Sequence, residues 1–302
     1  MVKPSLLIKE LRAEFLPGSV MPVLLGVAVA HARTGAFDPF LFALTLAGVA
    51  LIHLGTNVAN DYFDHLSGND AINTQFVRPF TGGSRLIQDR LLSPRAVLAL
   101  SISLFGAAVA VGAVLFIMRG PYVLLLGAVG IASGVFYVAP PVNLAGRGLG
   151  ELFIGLNFGV LAVAGSYFVQ TRTVSAESIV ASLPLAVLIA AVVFINEFQD
   201  MAADARAGKR TIVVRLGLRT ASRVFGIIML CPYVPVIIGA AAGLMPPMSL
   251  IALGTLPLAC KAIAVARREY AEPKELAPAN AITIICHTLT GALLALAYRI
   301  SA

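Results

Sequence analysis

Residues 38–64 read DPFLFALTLAGVALIHLGTNVANDYFD, an apolar run that ends in Asn57, Asn60, Asp61 and Asp64. Its first part is long enough for a membrane helix, which needs roughly 20 mostly apolar residues. Its last part puts carboxylates at the membrane boundary, where charge is costly to place and marks function. A second stretch repeats the pattern. The apolar run over 179–196 ends in Asn196, Glu197, Asp200 and Asp204, followed by Gly208-Lys209-Arg210-Thr211.

The rest of the chain is of the same kind. Apolar residues make up 59% of it, with a mean hydropathy of +0.90, whereas soluble domains hold roughly 45–50%. Apolar runs recur over 17–33, 38–59, 96–118, 121–139, 149–170, 179–196, 222–244, 247–266 and 281–299. The pattern predicts an all-α polytopic membrane bundle of about nine transmembrane helices. We expect residues 1–302 to form one integral-membrane domain. The acidic loops follow the second and sixth runs, which suggests two pseudo-repeated four-helix halves plus one helix. Lys3, Lys9 and Arg12 ahead of an apolar stretch imitate a cleaved leader, but Leu11 to Gly26 reads as part of the bundle.

Charge sets the expected orientation. With the N-terminus cytoplasmic, 17 of the 22 Lys and Arg fall inside, and only Arg33, Arg119, Arg172 and Arg299 fall outside. Lys261 lies within a span. This is the positive-inside pattern, and it accounts for the net charge of +7 without nucleic acid as a partner. No nucleic-acid-binding module is recognisable. Cys231, Cys260 and Cys286 have neither metal-ligand nor disulfide spacing.

On helix ends, Asp61 and Asp64 are three residues apart, and Asp200 and Asp204 are four apart. Either spacing stacks the side chains on one face. Paired carboxylates repel unless a cation intervenes, and hard oxygen ligands suit Mg2+ with phosphate oxygens completing its shell. Arg78, Arg85, Lys209 and Arg210 nearby suit a diphosphate. The plainer alternative is that Asn and Asp here only cap helices. Two clusters in the same order, on the same expected side of the membrane, weigh against it.

These residues are recognisable. The chain resembles the UbiA superfamily of intramembrane prenyltransferases along nearly its whole length. The first motif is Asn60-Asp61-Tyr62-Phe63-Asp64, and the second runs from Asp200 to Asp204 and on through Gly208 to Thr211. Phe15-Leu16-Pro17, Asn57 to Asp64, Thr81-Gly82-Gly83-Ser84-Arg85, Tyr137 to Pro141 and Gly146 to Glu151 are most similar to the 1,4-dihydroxy-2-naphthoate polyprenyltransferase branch of menaquinone biosynthesis. The resemblance implies nine transmembrane helices, with polyprenyl diphosphate held by Mg2+ between the two motifs. It implies alkylation of an aromatic acceptor by the allylic cation, in a bundle embedded in a lipid bilayer, by inference the bacterial inner membrane. Asp61, Asp64, Asp200 and Asp204 are then the catalytic carboxylates. Asn60 and Asp70 join them as metal ligands. Asn57, Asn60, Arg78, Lys209, Arg210, Arg12, Tyr137 and Arg147 are the candidates for substrate binding. Gly68 stands where many members carry a third Asp, and Asp70 is the candidate replacement.

Other residues have two readings. Tyr137 contacts acceptor or anchors at the interface. Glu151 caps a helix or takes part in chemistry, and Asn196 packs or binds. His53 and His287 read as hydrogen-bonded core residues rather than bases. 4-Hydroxybenzoate, homogentisate, a tetrapyrrole or a glycerophosphate lipid are the alternative acceptors. A secondary transporter is the alternative of another class, disfavoured because the acids sit at span ends rather than inside broken spans.

Overall fold

The computed structural model describes residues 3–302, and among them the regular structure is entirely helical. The order is α1 (Pro4–Glu10), α2 (Pro17–Thr34), α3 (Pro39–Ser67), α4 (Asn69–Ile72), α5 (Pro94–Arg119), α6 (Tyr122–Phe136) and α7 (Gly150–Gly155). Then follow α8 (Ala162–Thr171), α9 (Ala176–Arg206), α10 (Ile212–Leu216), α11 (Leu218–Leu230), α12 (Tyr233–Ala241), α13 (Leu256–Glu269) and α14 (Pro273–Ile300). A π-helical segment, Leu156–Leu161, joins α7 to α8 in one span.

Local chemistry sets the starts and stops. Pro opens α2, α3, α5 and α14, where its missing N–H costs nothing and its fixed φ suits the helix. Asp38 accepts from the N–H groups of Phe40 and Leu41, and Ser93 accepts from that of Ala96, satisfying donors otherwise orphaned at the first turn.

Seven helices are long and apolar enough to cross a membrane, or eight if the bent pair Pro4–Phe15 and Pro17–Thr34 counts as one. This is a multi-pass integral membrane protein. The segment expected over 121–139 differs, because α6 has only 15 residues, about 22 Å at 1.5 Å per residue. Its helix stops at Phe136, four residues before Pro140, because proline has no N–H to donate to the carbonyl four residues back and its ring crowds that carbonyl.

Burial sorts the helices by position. In α9, 61% of the apolar window is buried, against 22% in α5, so α9 is central and α5 faces lipid. Phe194, Phe198, Phe225, Met229, Leu276 and Cys286 pack together where α9, α11 and α14 meet. Helices α2 and α8 approach closely, and a Cβ on Gly26 would meet the Val163 carbonyl oxygen at 2.2 Å. Such small-residue contacts are how helices associate where lipid removes the hydrophobic drive.

Candidate active site

On α3, His53, Asn57, Asn60 and Asp64 fall at intervals of four, three and four residues, and so share one face. They line one polar cavity of about 220 Å³. Asn196, Asp200 and Asp204, four apart on α9, line it from the other side. Asp70, Asn69, Asn73, Arg12, Tyr137, Glu197 and Lys209 also reach it. The two motifs, distant in sequence, thus meet across a single cavity.

Lys209 bridges them. Its Nζ lies 2.7 Å from Asp64 Oδ1 and 3.4 Å from Asp204 Oδ1. Burial pulls this ammonium toward neutrality, but the Asp64 and Asp204 carboxylates outweigh burial and hold it above the ordinary lysine range. It stays charged at every physiological pH.

The turn after α3 supplies a second link. Gly68 caps α3 with φ of +76°, the left-handed conformation that suits glycine. The reversal sends α4 back over the cavity. Asn69 Nδ2 then donates to Asp204 Oδ1 at 3.1 Å, and Asn73 Nδ2 donates to Asp200 Oδ1 at 2.7 Å. The first loop therefore grips the second motif. Asp70, on α4, accepts from Gln88 Nε2 at 3.0 Å. Burial, with the nearby Asp64 and Asp61 charges adding to it, pushes the Asp70 carboxyl up to about 8. The left-handed turn at Gly68 is what brings Asp70 to the cavity.

Asp61 faces elsewhere. One residue past Asn60 it is rotated about 100° round the helix, and it is buried against the loop 82–85. Its Oδ2 accepts the Ser84 N–H at 2.7 Å, and Arg12 Nη1 lies 3.7 Å from its Oδ1. A Cβ on Gly83 would fall 2.6 Å from Asp61 Oδ1, and Gly83 has φ of +66°; only glycine fits this close approach. Ser84 Oγ in turn donates to the buried Glu10. Asp61 thus holds the loop and Arg12 in place.

The basic candidates divide. Arg12 sits at the break between α1 and α2 with φ of 52°, lies over the Phe15 ring and lines the cavity. Arg78 is exposed, pairs with Asp89 at 3.5 Å and does not line the cavity. Arg210 is exposed, and its backbone N–H donates to Gly146 O. Arg147 is exposed and its guanidinium donates to Pro141 O. Asn57 reaches the Leu11 carbonyl at 3.3 Å, and Asn60 donates to Asp64 at 3.2 Å. Sequence reasoning missed Asn69 and Asn73. Two amides within five residues of the helix-ending Gly68 were the available signal.

An apolar cavity of about 330 Å³ adjoins the polar one. It runs among α3, α5, α6 and the α7–α8 span, and shares Thr56, Tyr137, Ile154 and Phe158 with the polar cavity. One polar and one apolar chamber meeting at a common wall suit a substrate with a charged head and a hydrocarbon tail.

A profile of the UbiA prenyltransferase family matches residues 19–295. The chain belongs to the UbiA prenyltransferase family. This UbiA enzyme is 28% identical over 252 residues to 1,4-dihydroxy-2-naphthoate octaprenyltransferase of Bacillus subtilis, covering 83% of this chain and 79% of that one. It is 30% identical over 253 residues to the Mycobacterium tuberculosis protein of the same name, covering 83% and 82%. It is 29% identical over 280 residues to 2-carboxy-1,4-naphthoquinone phytyltransferase of Synechocystis, covering 93% and 88%. Its fold matches a UbiA homolog from Aeropyrum pernix (TM-score 0.67, 16% identity, 95% and 98% of the chains). It also matches one from Archaeoglobus fulgidus bound to GPP and Mg2+ (TM-score 0.65, 15% identity, 96% and 99%). The chain is a prenyltransferase.

Proposed function

We propose that this UbiA enzyme transfers a polyprenyl group from polyprenyl diphosphate to 1,4-dihydroxy-2-naphthoate, with Mg2+ as cofactor, in menaquinone biosynthesis. The observation that carries the reading is the meeting of two acidic helix ends across a polar cavity that continues into an apolar one. The excess of Lys and Arg on one side of the bundle supports an active site facing the cytoplasm, in a bacterial inner membrane. The repeated acidic helix ends support two similar halves within one domain.

The residues present fit a divalent cation. Asp64, Asp200, Asp204 and Asp70 face one cavity, and the Lys209 ammonium already bridges two of them as a positive charge. Among the described residues no three acids, His or Cys form a closed metal site. A cation held here would need phosphate oxygens and water to complete its shell, as Mg2+ does. Asn60, Asp64, Asp70, Asp200 and Asp204 would hold it, and Asp61 would support them through the 82–85 loop and Arg12. When bound, Mg2+ neutralises the leaving diphosphate.

The protein's own groups do the rest. Lys209 gives the diphosphate a buried positive charge at the mouth of the cavity. Asn57 and Asn60 offer amide donors along the same face of α3. The apolar chamber takes the tail and keeps water from the allylic cation, which would otherwise end as an alcohol. Arg12, beside Phe15, is placed for an aromatic carboxylate.

The test is prenyl transfer by purified protein with Mg2+ and a polyprenyl diphosphate, offering 1,4-dihydroxy-2-naphthoate and 4-hydroxybenzoate together. A prenylated naphthoquinol as the main product is expected. Transfer to 4-hydroxybenzoate alone would overturn the acceptor, and no transfer to either would overturn the reading.

A further inference from the structure

His53 lies on the cavity face of α3, one turn deeper than Asn57 and eleven residues from Asp64. Along the helix this is about 16 Å, room for a diphosphate, its first prenyl carbon and one aromatic ring in line. The imidazole is buried, and the Phe158 ring packs on it at 4.9 Å between centroids. Its Nδ1 is 2.9 Å from Ser19 Oγ. Ser19 Oγ is also 3.1 Å from the Leu16 carbonyl oxygen. With the serine hydrogen on that carbonyl, Nδ1–H donates to Ser19 Oγ and the lone pair of Nε2 faces the cavity. Nε2 has no hydrogen-bond partner among the described residues, and unlike His287 Nε2 it is not sealed from the cavity. Anchoring of one ring nitrogen is what fixes the task of the other.

We propose that His53 is a catalytic residue whose Nε2 binds the ring hydroxyl of the aromatic acceptor and takes its proton as the new carbon–carbon bond forms. This rests on the acceptor being a hydroxylated aromatic carboxylate. The prenyl C1–O bond breaks and its electron pair leaves with diphosphate. The ring carbon that bears the carboxylate, ortho to the hydroxyl, bonds to C1 through a ring π pair. The hydroxyl oxygen becomes a carbonyl, and its proton moves to Nε2, giving an imidazolium. The carboxylate then leaves as carbon dioxide, and its bonding pair returns to the ring. The carbonyl becomes a phenolate and recovers the proton from His53. The proton cycle closes inside the cavity with no need of bulk water.

Two substitutions separate this role from packing. His53→Asn can keep an amide at the Nδ1 position against Ser19 but loses the group at Nε2. His53→Gln can place an amide at the Nε2 position, able to bind a hydroxyl but not to carry its proton. We expect His53→Asn to lower kcat/KM for the acceptor by about 100-fold or more, the usual scale of general base catalysis, while donor KM and melting temperature stay at wild-type values. We expect His53→Gln to keep the acceptor KM near wild type while kcat remains low. Wild-type acceptor kinetics in His53→Asn overturn the proposal, as does a loss shared with donor KM or melting temperature. Wild-type kcat in His53→Gln overturns the proton transfer. If the wild-type enzyme prenylates neither phenolic carboxylate, the functional reading fails and takes this inference with it.

Discussion

Replacing Lys209 with Met keeps the length of the side chain and removes its charge. That charge lies 2.7 Å from Asp64 and 3.4 Å from Asp204, with all three side chains at most 13% exposed. At an effective dielectric of about 20, the two attractions amount to about 6 and about 5 kcal/mol before desolvation. Desolvating the ammonium and carboxylates offsets part of this, and removing one partner of a buried pair typically leaves a net loss of about 3–5 kcal/mol. The loss is greatest without divalent cation, because the two carboxylates then face each other across the cavity uncompensated. The assay is thermal melting in detergent, with EDTA and then with Mg2+. Lys209→Met should melt well below wild type in EDTA, and Mg2+ should raise its melting temperature by more than it raises that of wild type. Prenyl transfer should fall too, since the same ammonium is the proposed diphosphate contact. A variant that melts with wild type in EDTA would refute the bridge as the bond between the two motifs.

Three further outcomes follow from the geometry. The Asp70 carboxyl, pushed to about 8 in the fold against about 3.9 in the unfolded chain, stays protonated after the unfolded form has ionised. Its contribution is fully present below about pH 4 and is lost as pH rises toward 8; Asp70→Asn should flatten that part of the metal-free stability profile, measured by urea or thermal melting. Gly127 lines the apolar cavity, and a Cβ there meets nothing within 4 Å. Gly127→Phe should therefore cut turnover of long polyprenyl donors several-fold relative to geranyl diphosphate, and an unchanged donor-length preference would place the tail elsewhere. Arg78 is exposed and paired with Asp89 outside the cavity, a contact that contributes about 1 kcal/mol or less. Arg78→Ala should leave donor KM within about twofold, whereas Arg12→Ala should raise acceptor KM; the two KM values in one assay decide it.

The parts legible in the sequence were those governed by local repeats. Acids at the ends of apolar runs gave the two motifs, and helical spacing put Asn57, Asn60 and Asp64 on one face. The same spacing carried the means to separate Asp61, a single residue further round the helix, but not what it would meet. That depended on Ser84 and Arg12, each more than twenty residues away in the chain. Asn69 and Asn73 escaped because helical periodicity ends at Gly68, where a left-handed turn redirects the chain. Arg78 looked like a diphosphate ligand by composition, yet its partner is Asp89. Counting apolar residues carried the span near 121–139 three residues beyond the end of α6, because the run continues through Tyr137, Val138 and Ala139 after the helix has stopped. His53 read as a core histidine. It is one on its Ser19 side, and the cavity on its other side was visible only once the helices were packed.

The central claim is that the two acidic helix ends hold one Mg2+–diphosphate unit between them. The most direct measurement is Mg2+-dependent binding of a non-reactive prenyl thiodiphosphate to wild type, Asp64→Asn, Asp200→Asn and the double variant. The account predicts that each single variant loses most of the Mg2+-dependent affinity, and that the double variant loses much less than the sum of the two, since both act on the same bound unit. Independent, additive losses, or binding unchanged by EDTA, would contradict it.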